Sequence, residues 1–502
     1  MKNIRYSPKG SFTILSATVA LLGGCAVVPA YEPPAALQQT RFLPEKTASA
    51  TSSPDADAAT VARQEIVLGK NLQPQWWTLL HSAQIDQVVQ QALGGNQSLA
   101  AVRERLAAAR TRIGVAQGAL MPQVDGTASA QRSRLGAPIL GSEAKDFPAF
   151  SAYGIGPTVS YDLDVFGGMQ KGVELAQSNA QTQAAQMHAA TLMISGNVVA
   201  EAIVIASLRS RIDVVQQIVA DDQHSLELVR AARHAGVVSD IDVLSAQSQM
   251  DHDRTLLPAL QRQLNEARDA MALLVGQTPA DWSAPDFDLG ALNLPSQLPI
   301  ALPSELVQRR PDIVAAEARL HAANAAVGVA TANLYPHVTL NASLGSAGIL
   351  NHGPSETVWN LLGGISMPIF HGGALRAEQK AAQQDYQASF AEYRHIVLGA
   401  FGQVADSLQA LSTDADALSS ERRALASASA SLALTQKGYR VGNAGYLQVL
   451  DARRLEQEAR LGEVQARSQR YLDTVKLYLA TGGGVETDSV AANHGDQTVQ
   501  SR

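Results

Sequence analysis

The sequence is poor in cysteine, aromatics and charge: of 502 residues one is Cys, 5% are aromatic and 17% are charged. A single Cys excludes a disulfide framework and any Cys-cluster zinc or iron–sulfur site. The formal net charge of −7, with no basic runs, argues against nucleic acid as a partner. No run of about 20 apolar residues reads as a membrane-spanning helix. Catalytic signatures are missing too: there is no His-Glu-x-x-His, no Gly-x-Ser-x-Gly and no Gly-x-x-x-x-Gly-Lys. The eleven histidines are scattered. Asp251-His252-Asp253 falls on a coiled-coil stretch, where solvated polar residues are expected. No catalytic residue, cofactor or metal site is therefore expected. Few aromatics beside abundant Ala and Gln is the composition of long helices.

The N-terminus sets the compartment. Lys2, Arg5 and Lys9 precede an eleven-residue, mainly apolar stretch, Phe12 to Leu22, too short to span a bilayer but suited to an export signal (residues 1–24). Leu22-Gly23-Gly24-Cys25 then resembles a bacterial lipobox, in which Cys25 is acylated and becomes the mature N-terminus. Cleavage there takes the net charge from −7 to −10 by removing three cations. Ala26, rather than Asp, follows the Cys, which for a lipobox points to the outer membrane. Residues 25–75, rich in Pro, Ala, Ser and Thr, read as an extended tether with no core of its own.

The remainder is a duplication. Gly114-Val115-Ala116, Leu120 and Pro122 recur as Gly328-Val329-Ala330, Leu334 and Pro336. Phe166 and Gly168 recur as Phe370 and Gly372; Gly236, Val243, Leu244 and Ala246 recur as Gly442, Val449, Leu450 and Ala452. The first repeat covers 76–276 and the second 304–481. A proline-rich linker or waist at 277–303 separates them, and 482–502 reads as a disordered, Gly-rich polar tail.

Each repeat has one grammar. A helical stretch (83–118, then 304–332) ends at Leu-x-Pro, because Pro cannot continue a helix. Two strands follow, at about 122–132 and 152–166, then about 336–345 and 358–370. Ile155, Pro157, Val159, Tyr161, Leu163 and Val165 alternate with polar or small residues, and Trp359, Leu361, Gly363, Ile365, Met367 and Ile369 repeat that face. A half-buried soluble hairpin would alternate in the same way; four such strands in an exported, lipidated chain point to a lipid-facing barrel. A Gly pair then opens a proline-free helical tract, 169–235 and 374–440. Such a tract of about 65 residues makes a rod of about 100 Å. Ile205, Leu208, Ile212, Val215, Val219, Leu226 and Val229 hold an a/d register broken by Asp222. A second seam runs through Val243, Met250, Leu257, Leu264 and Met271. In the second repeat Leu447/Leu450, Leu461/Val464 and Val475/Tyr478 do the same, with Arg454 and Gln457 as polar interruptions.

Four strands cannot close a barrel, and an open edge in lipid costs several kcal/mol per unpaired group. The chain must oligomerise. Two copies would make eight strands with a filled interior, three copies twelve with a water-filled lumen.

Gln308-Arg309-Arg310-Pro311-Asp312-Ile313, Gly328 to Pro336, Phe370-His371-Gly372-Gly373 and Tyr439-Arg440-Val441-Gly442 to Leu450-Asp451-Ala452 closely resemble the outer membrane factor (TolC-like) family. Within it the chain is most similar to the OprM/NodT-type lipoproteins of resistance-nodulation-division efflux pumps. The resemblance implies a mostly α fold with a membrane β-barrel: a trimer with a twelve-stranded outer-membrane barrel and a periplasmic helical tunnel. It implies a passive exit duct for drugs or other small toxic compounds, docked to a periplasmic adaptor and an inner-membrane pump. It also implies a gate. Leu447, Asp451 and Arg454 match the Leu, the Asp four residues on and the Arg three beyond that line the constriction in relatives, and positions i, i+4 and i+7 share a helix face. Read without the resemblance, Asp451 and Arg454 are a surface i, i+3 ion pair. Asp240 and Asp242, at the matching place in the first repeat, would add carboxylates or meet the adaptor; Gln448 stands where a second gate Asp occurs in some relatives. Two other readings stay open: a type I protein-secretion duct, which shares the fold but lacks the lipid anchor, and a soluble periplasmic coiled-coil scaffold, which leaves the strands unexplained.

Overall fold

The computed structural model describes residues 31–34, 42, 64–70, 72–134, 149–350 and 354–484. The export signal, Cys25, most of the tether and the tail from 485 lie outside the described residues. In chain order the elements are β1 (Glu65–Leu68), α1 (Ala83–Gly95), α2 (Gln97–Gly118), β2 (Gln123–Ser133), β3 (Phe150–Leu163), α3 (Gly168–His234), α4 (Asp240–Arg254) and α5 (Leu256–Val275). They continue as β4 (Gln297–Ile300), α6 (Pro303–Arg309), α7 (Pro311–Ala332), β5 (His337–Ile349), β6 (Glu356–Ser366), α8 (Ala374–Arg440) and α9 (Tyr446–Ala480). The duplication is explicit here: α3 and α8 each have 67 residues and each follows two strands. The chain divides into two compact units, and both long helices contribute to both.

The first unit (described parts of 1–34, 105–184 and 315–393) holds a four-stranded antiparallel sheet ordered β2-β3-β5-β6. Its register puts Val124, Val159, Ala342 and Leu361 in one row, and Asp125, Thr158, Ser343 and Asn360 in the next. A period-two strand shows alternate residues to opposite faces, so this register gathers the apolar residues of all four strands on one side. That face is bare: Trp359, Leu361 and Ile365 are 76%, 73% and 77% exposed. The strands differ from their expected ends. β3 stops at Leu163 and β6 at Ser366, so Val165, Met367 and Ile369 lie beyond the ladder. After β3, Asp164 accepts hydrogen bonds from the Met169 and Gln170 N–H groups at 3.0 and 2.7 Å, which satisfies the free donors at the start of α3.

The second unit (described parts of 35–104, 185–314 and 394–502) has a continuous core. Trp76, Leu80, Ile85, Val198, Ile203, Met271, Leu298 and Tyr478 are among its fully buried members. Several expectations are corrected here. The tether does have a core contact: β1 pairs in parallel with β4, inside the supposed linker, from Glu65↔Gln297 to Leu68↔Ile300. Each expected N-terminal helix is two helices. Asn96 splits the first because its Oδ1 accepts from Leu99 N–H at 3.1 Å, a cap, while its Nδ2 donates to the Leu274 carbonyl at 2.8 Å. Arg310 splits the second because it precedes Pro311 and is held extended at ψ 121°. The helix after Gly236 is likewise broken, at Thr255, since Pro258 has no N–H to give the preceding turn. One eighteen-residue window of α3 is apolar enough, by composition, to cross a membrane. Half of it is buried within the protein, and Val198, Val199, Ala202, Ile203, Ile205 and Ala206 have no exposed surface, so it is a core segment.

Candidate functional site

The long helices turn into α4 and α9 at Gly236 and Gly442, whose φ of 72° and 76° lies in the left-handed region that glycine enters without steric cost. After the first turn Ser239 and Asp242 form a capping box: Asp242 Oδ2 accepts from Ser239 N–H at 3.0 Å and Ser239 Oγ–H at 2.8 Å. After the second, Gly445 N–H donates to Gln448 Oε1 at 3.0 Å, half of that device, since glycine has no side chain to complete it.

The faces of α9 decide how its polar residues are read. Tyr446, Val449, Ala452, Arg453, Glu456 and Gln457 are buried; Leu447, Gln448, Asp451, Arg454, Leu455 and Glu458 are exposed. The seam therefore begins one residue earlier than expected. Leu447 (66% exposed) lies off it, and the polar interruption is Arg453, not Arg454. Leu447, Asp451 and Arg454 stand together on the open face, as the helical spacing required. The alternative ion pair is not formed: Arg454 Nη1 donates to Glu458 Oε1 at 2.8 Å instead.

The two first-repeat carboxylates are already engaged. Asp240 receives both Arg233 Nε–H and Nη2–H, at 2.7 and 2.8 Å, and this bidentate pairing holds its carboxyl below the usual range. Asp242 is the capping residue described above. The spacing Ser-x-x-Asp ahead of an apolar periodicity is a capping signature that could have identified that role from sequence.

Sequence reasoning missed the charged cluster behind the open face. Asp253, expected to be solvated, is 5% exposed. Asp222, the break in the α3 heptad register, is 3% exposed and accepts from Arg453 Nη1 at 2.9 Å. Burial pushes the Asp222 carboxyl up to about 6, against the opposing pull of Arg453. The signal in the sequence was the heptad itself, since a charge at a d position needs a partner.

Among the described residues no group of three or more His, Cys, Asp or Glu could hold a metal ion. A concavity of about 460 Å³ between α3, α5 and α9 is lined by Glu201, Arg211, Gln263 and Glu266 with Val204 and Leu472, and it is open rather than enclosed. Burial alone raises the Glu201 carboxyl there.

Comparison with known proteins gives a consistent result. The family model described as outer membrane efflux protein matches residues 88–277 and 302–483. The pyoverdine export outer membrane protein OpmQ of Pseudomonas aeruginosa is 29% identical over 421 residues, covering 82% of this chain and 88% of the relative. The toluene efflux pump outer membrane protein TtgC of Pseudomonas putida is 28% identical over 489 residues, covering 96% and 97%. Among solved structures, the outer-membrane channel OprN aligns with a TM-score of 0.81 at 27% identity, over 92% of this chain and 99% of that one.

Proposed function

The chain belongs to the outer membrane efflux protein family, and from that premise we propose that three copies form the exit duct of a tripartite efflux assembly. The protein is an outer-membrane efflux channel and not an enzyme. In this reading each protomer supplies four of twelve barrel strands, and the long helices line a periplasmic tunnel. Acylated Cys25 adds a lipid anchor. A periplasmic adaptor and an inner-membrane resistance-nodulation-division pump deliver the cargo, which is a small toxic compound chosen by the pump.

One observation carries the assembly: among the described residues the sheet has two free edges, β2 and β6, and a bare apolar face. Each eleven-residue edge turns roughly ten backbone groups outward, and at several kcal/mol per unpaired group in lipid the penalty exceeds the whole stability of about 5–15 kcal/mol typical of a domain. Pairing β6 of one copy with β2 of the next removes both edges. Three exposed sets of Leu447, Asp451 and Arg454 around the threefold axis would then give apolar, carboxylate and guanidinium rings at the tunnel end. A carboxylate ring favours cations. Asp240 and Asp242, locked by Arg233 and Ser239, shape the tip instead of adding free carboxylates to that ring. Fractionation tests the reading: the wild-type chain is expected in the outer membrane, and Cys25→Ala is expected to lose only the lipid anchor. A wholly soluble wild-type protein would contradict it.

A further inference from the structure

Behind the open face of α9, three helices of the second unit enclose two carboxylates and one guanidinium. Asp222 comes from α3, Asp253 from α4 and Arg453 from α9, and they are 3%, 5% and 9% exposed. Arg453 Nη1 donates both to Asp222 Oδ1 at 2.9 Å and to the Asp221 carbonyl at 3.1 Å. Asp253 Oδ2 accepts from Gln249 Nε2 at 2.9 Å. The other Asp222 oxygen, Oδ2, is buried without a donor, and Asp253 is the group beside it. The remaining titratable groups facing the cluster are Tyr446 on α9, whose phenol burial pushes up to about 12, and more distantly Tyr439 and Asp242. Among the described residues no second cation faces Asp222, so both carboxylates ionised would leave one buried negative charge uncompensated. A proton between Asp222 Oδ2 and Asp253 supplies the missing donor and neutralises the cluster.

Arg453 lies between Asp451 and Arg454 in sequence but on the opposite face of the helix. We propose that Asp222, Asp253 and Arg453 form a proton-held latch that fixes α9 against α3 and α4, and so positions the gate-bearing face. The latch rests on the gate assigned to Leu447, Asp451 and Arg454. Arg453 acts as a positioning residue, since it faces away from the duct side. The sign follows from burial. Asp222 binds its proton more tightly when latched than when solvated, so latching is strongest in acid and weakens as pH rises from about 4 to about 6. At pH 5 the closed packing should be favoured about tenfold over its value at pH 7.5.

The test uses the full-length protein in lipid nanodiscs and reads amide exchange of residues 446–460, corrected for intrinsic rates. Wild type is expected to exchange about tenfold more slowly at pH 5 than at pH 7.5. Asp222→Asn keeps the shape and supplies an amide donor, so it should remain protected at both pH values, and Asp253→Asn should flatten the profile as well. Arg453→Met should lose the protection at both. A wild-type profile without pH dependence, or an Asp222→Asn profile that keeps it, overturns the latch. The gate is read separately, from the conductance of Leu447→Ala with Asp451→Asn. A rise there with flat wild-type exchange overturns the latch alone, and an unchanged conductance overturns the gate.

Discussion

A carboxylate taken out of water needs a cation, a hydrogen-bond donor or a proton, and Asp414 beside Asp473 shows which it takes when cations are already engaged. Asp473 accepts from Lys476 Nζ at 2.7 Å and Gln469 Nε2 at 2.8 Å, while Asp414 Oδ2 is buried with no donor. Burial and the neighbouring Asp473 push Asp414 up to about 7, so the pair holds one shared proton nearly to neutrality. A carboxyl raised from its ordinary 3.8 contributes stability that is complete below that value and is lost as pH rises through about 7. Thermal unfolding midpoints should therefore fall between pH 6 and 7, above the window of Asp222, and Asp414→Asn should remove that fall. A variant that declines as steeply as wild type would contradict the assignment. If the proposed gate is right, Leu447→Ala with Asp451→Asn should raise conductance in planar bilayers, because it would widen an apolar ring and neutralise a carboxylate ring. Individual residues were legible where one periodicity governed them. Leu447, Asp451 and Arg454 fell on one face because the helix repeat puts them there. The partner of Asp222 was not, because Arg453 is 231 residues away in sequence and a one-residue shift of the seam hides it.

Elements were legible through their breakers. The Leu-x-Pro stops, the Gly turns and the alternating strands all appear close to where the sequence put them, since these depend on local backbone chemistry. The misplaced boundaries depend on distant partners. Asn96 ends a helix partly by reaching the Leu274 carbonyl, and β1 is a strand only because β4 is beside it. Arg310 combines both kinds. Its place before Pro311 was visible, but not that its side chain is 8% exposed and donates to the Ala480 carbonyl at 2.8 Å, to Gln403 and to Asp312. Arg310→Ala leaves that buried carbonyl without a donor and should cost about 2 kcal/mol, read from denaturant midpoints of the solubilised protein. In the sheet, Gly156 faces Gly345 at a close approach: a Cβ on Gly156 would lie 2.2 Å from the Leu344 carbonyl oxygen. Gly156→Val should separate β3 from β5, which join the two repeats, and lower the yield of cross-linked oligomer relative to wild type. A variant that assembles normally would show that the strands tolerate the gap.

At the scale of the whole molecule, the low charge, scarce aromatics and single cysteine fit one repeated unit whose bare apolar face and strand edges are, in the proposal above, finished by other copies of itself. Two 67-residue helices give the chain its Ala- and Gln-rich average, and a short sheet carries its exposed apolar face. The duplication makes β2-β3 and β5-β6 equivalent hairpins in one sheet, so the β3–β5 pairing within a chain is the template for the β6–β2 pairing proposed between chains. Lateral disulfide cross-linking reads that pairing between chains. Cys25 is the only native cysteine, so cysteines scanned over residues 127–129 of β2 and 360–362 of β6, in a Cys25→Ala background, report only that contact. A closed trimer gives a ladder of one, two and three chains that ends at three, closed by a third bond. A ladder ending at two chains, or no bond between chains at any pair, would contradict it.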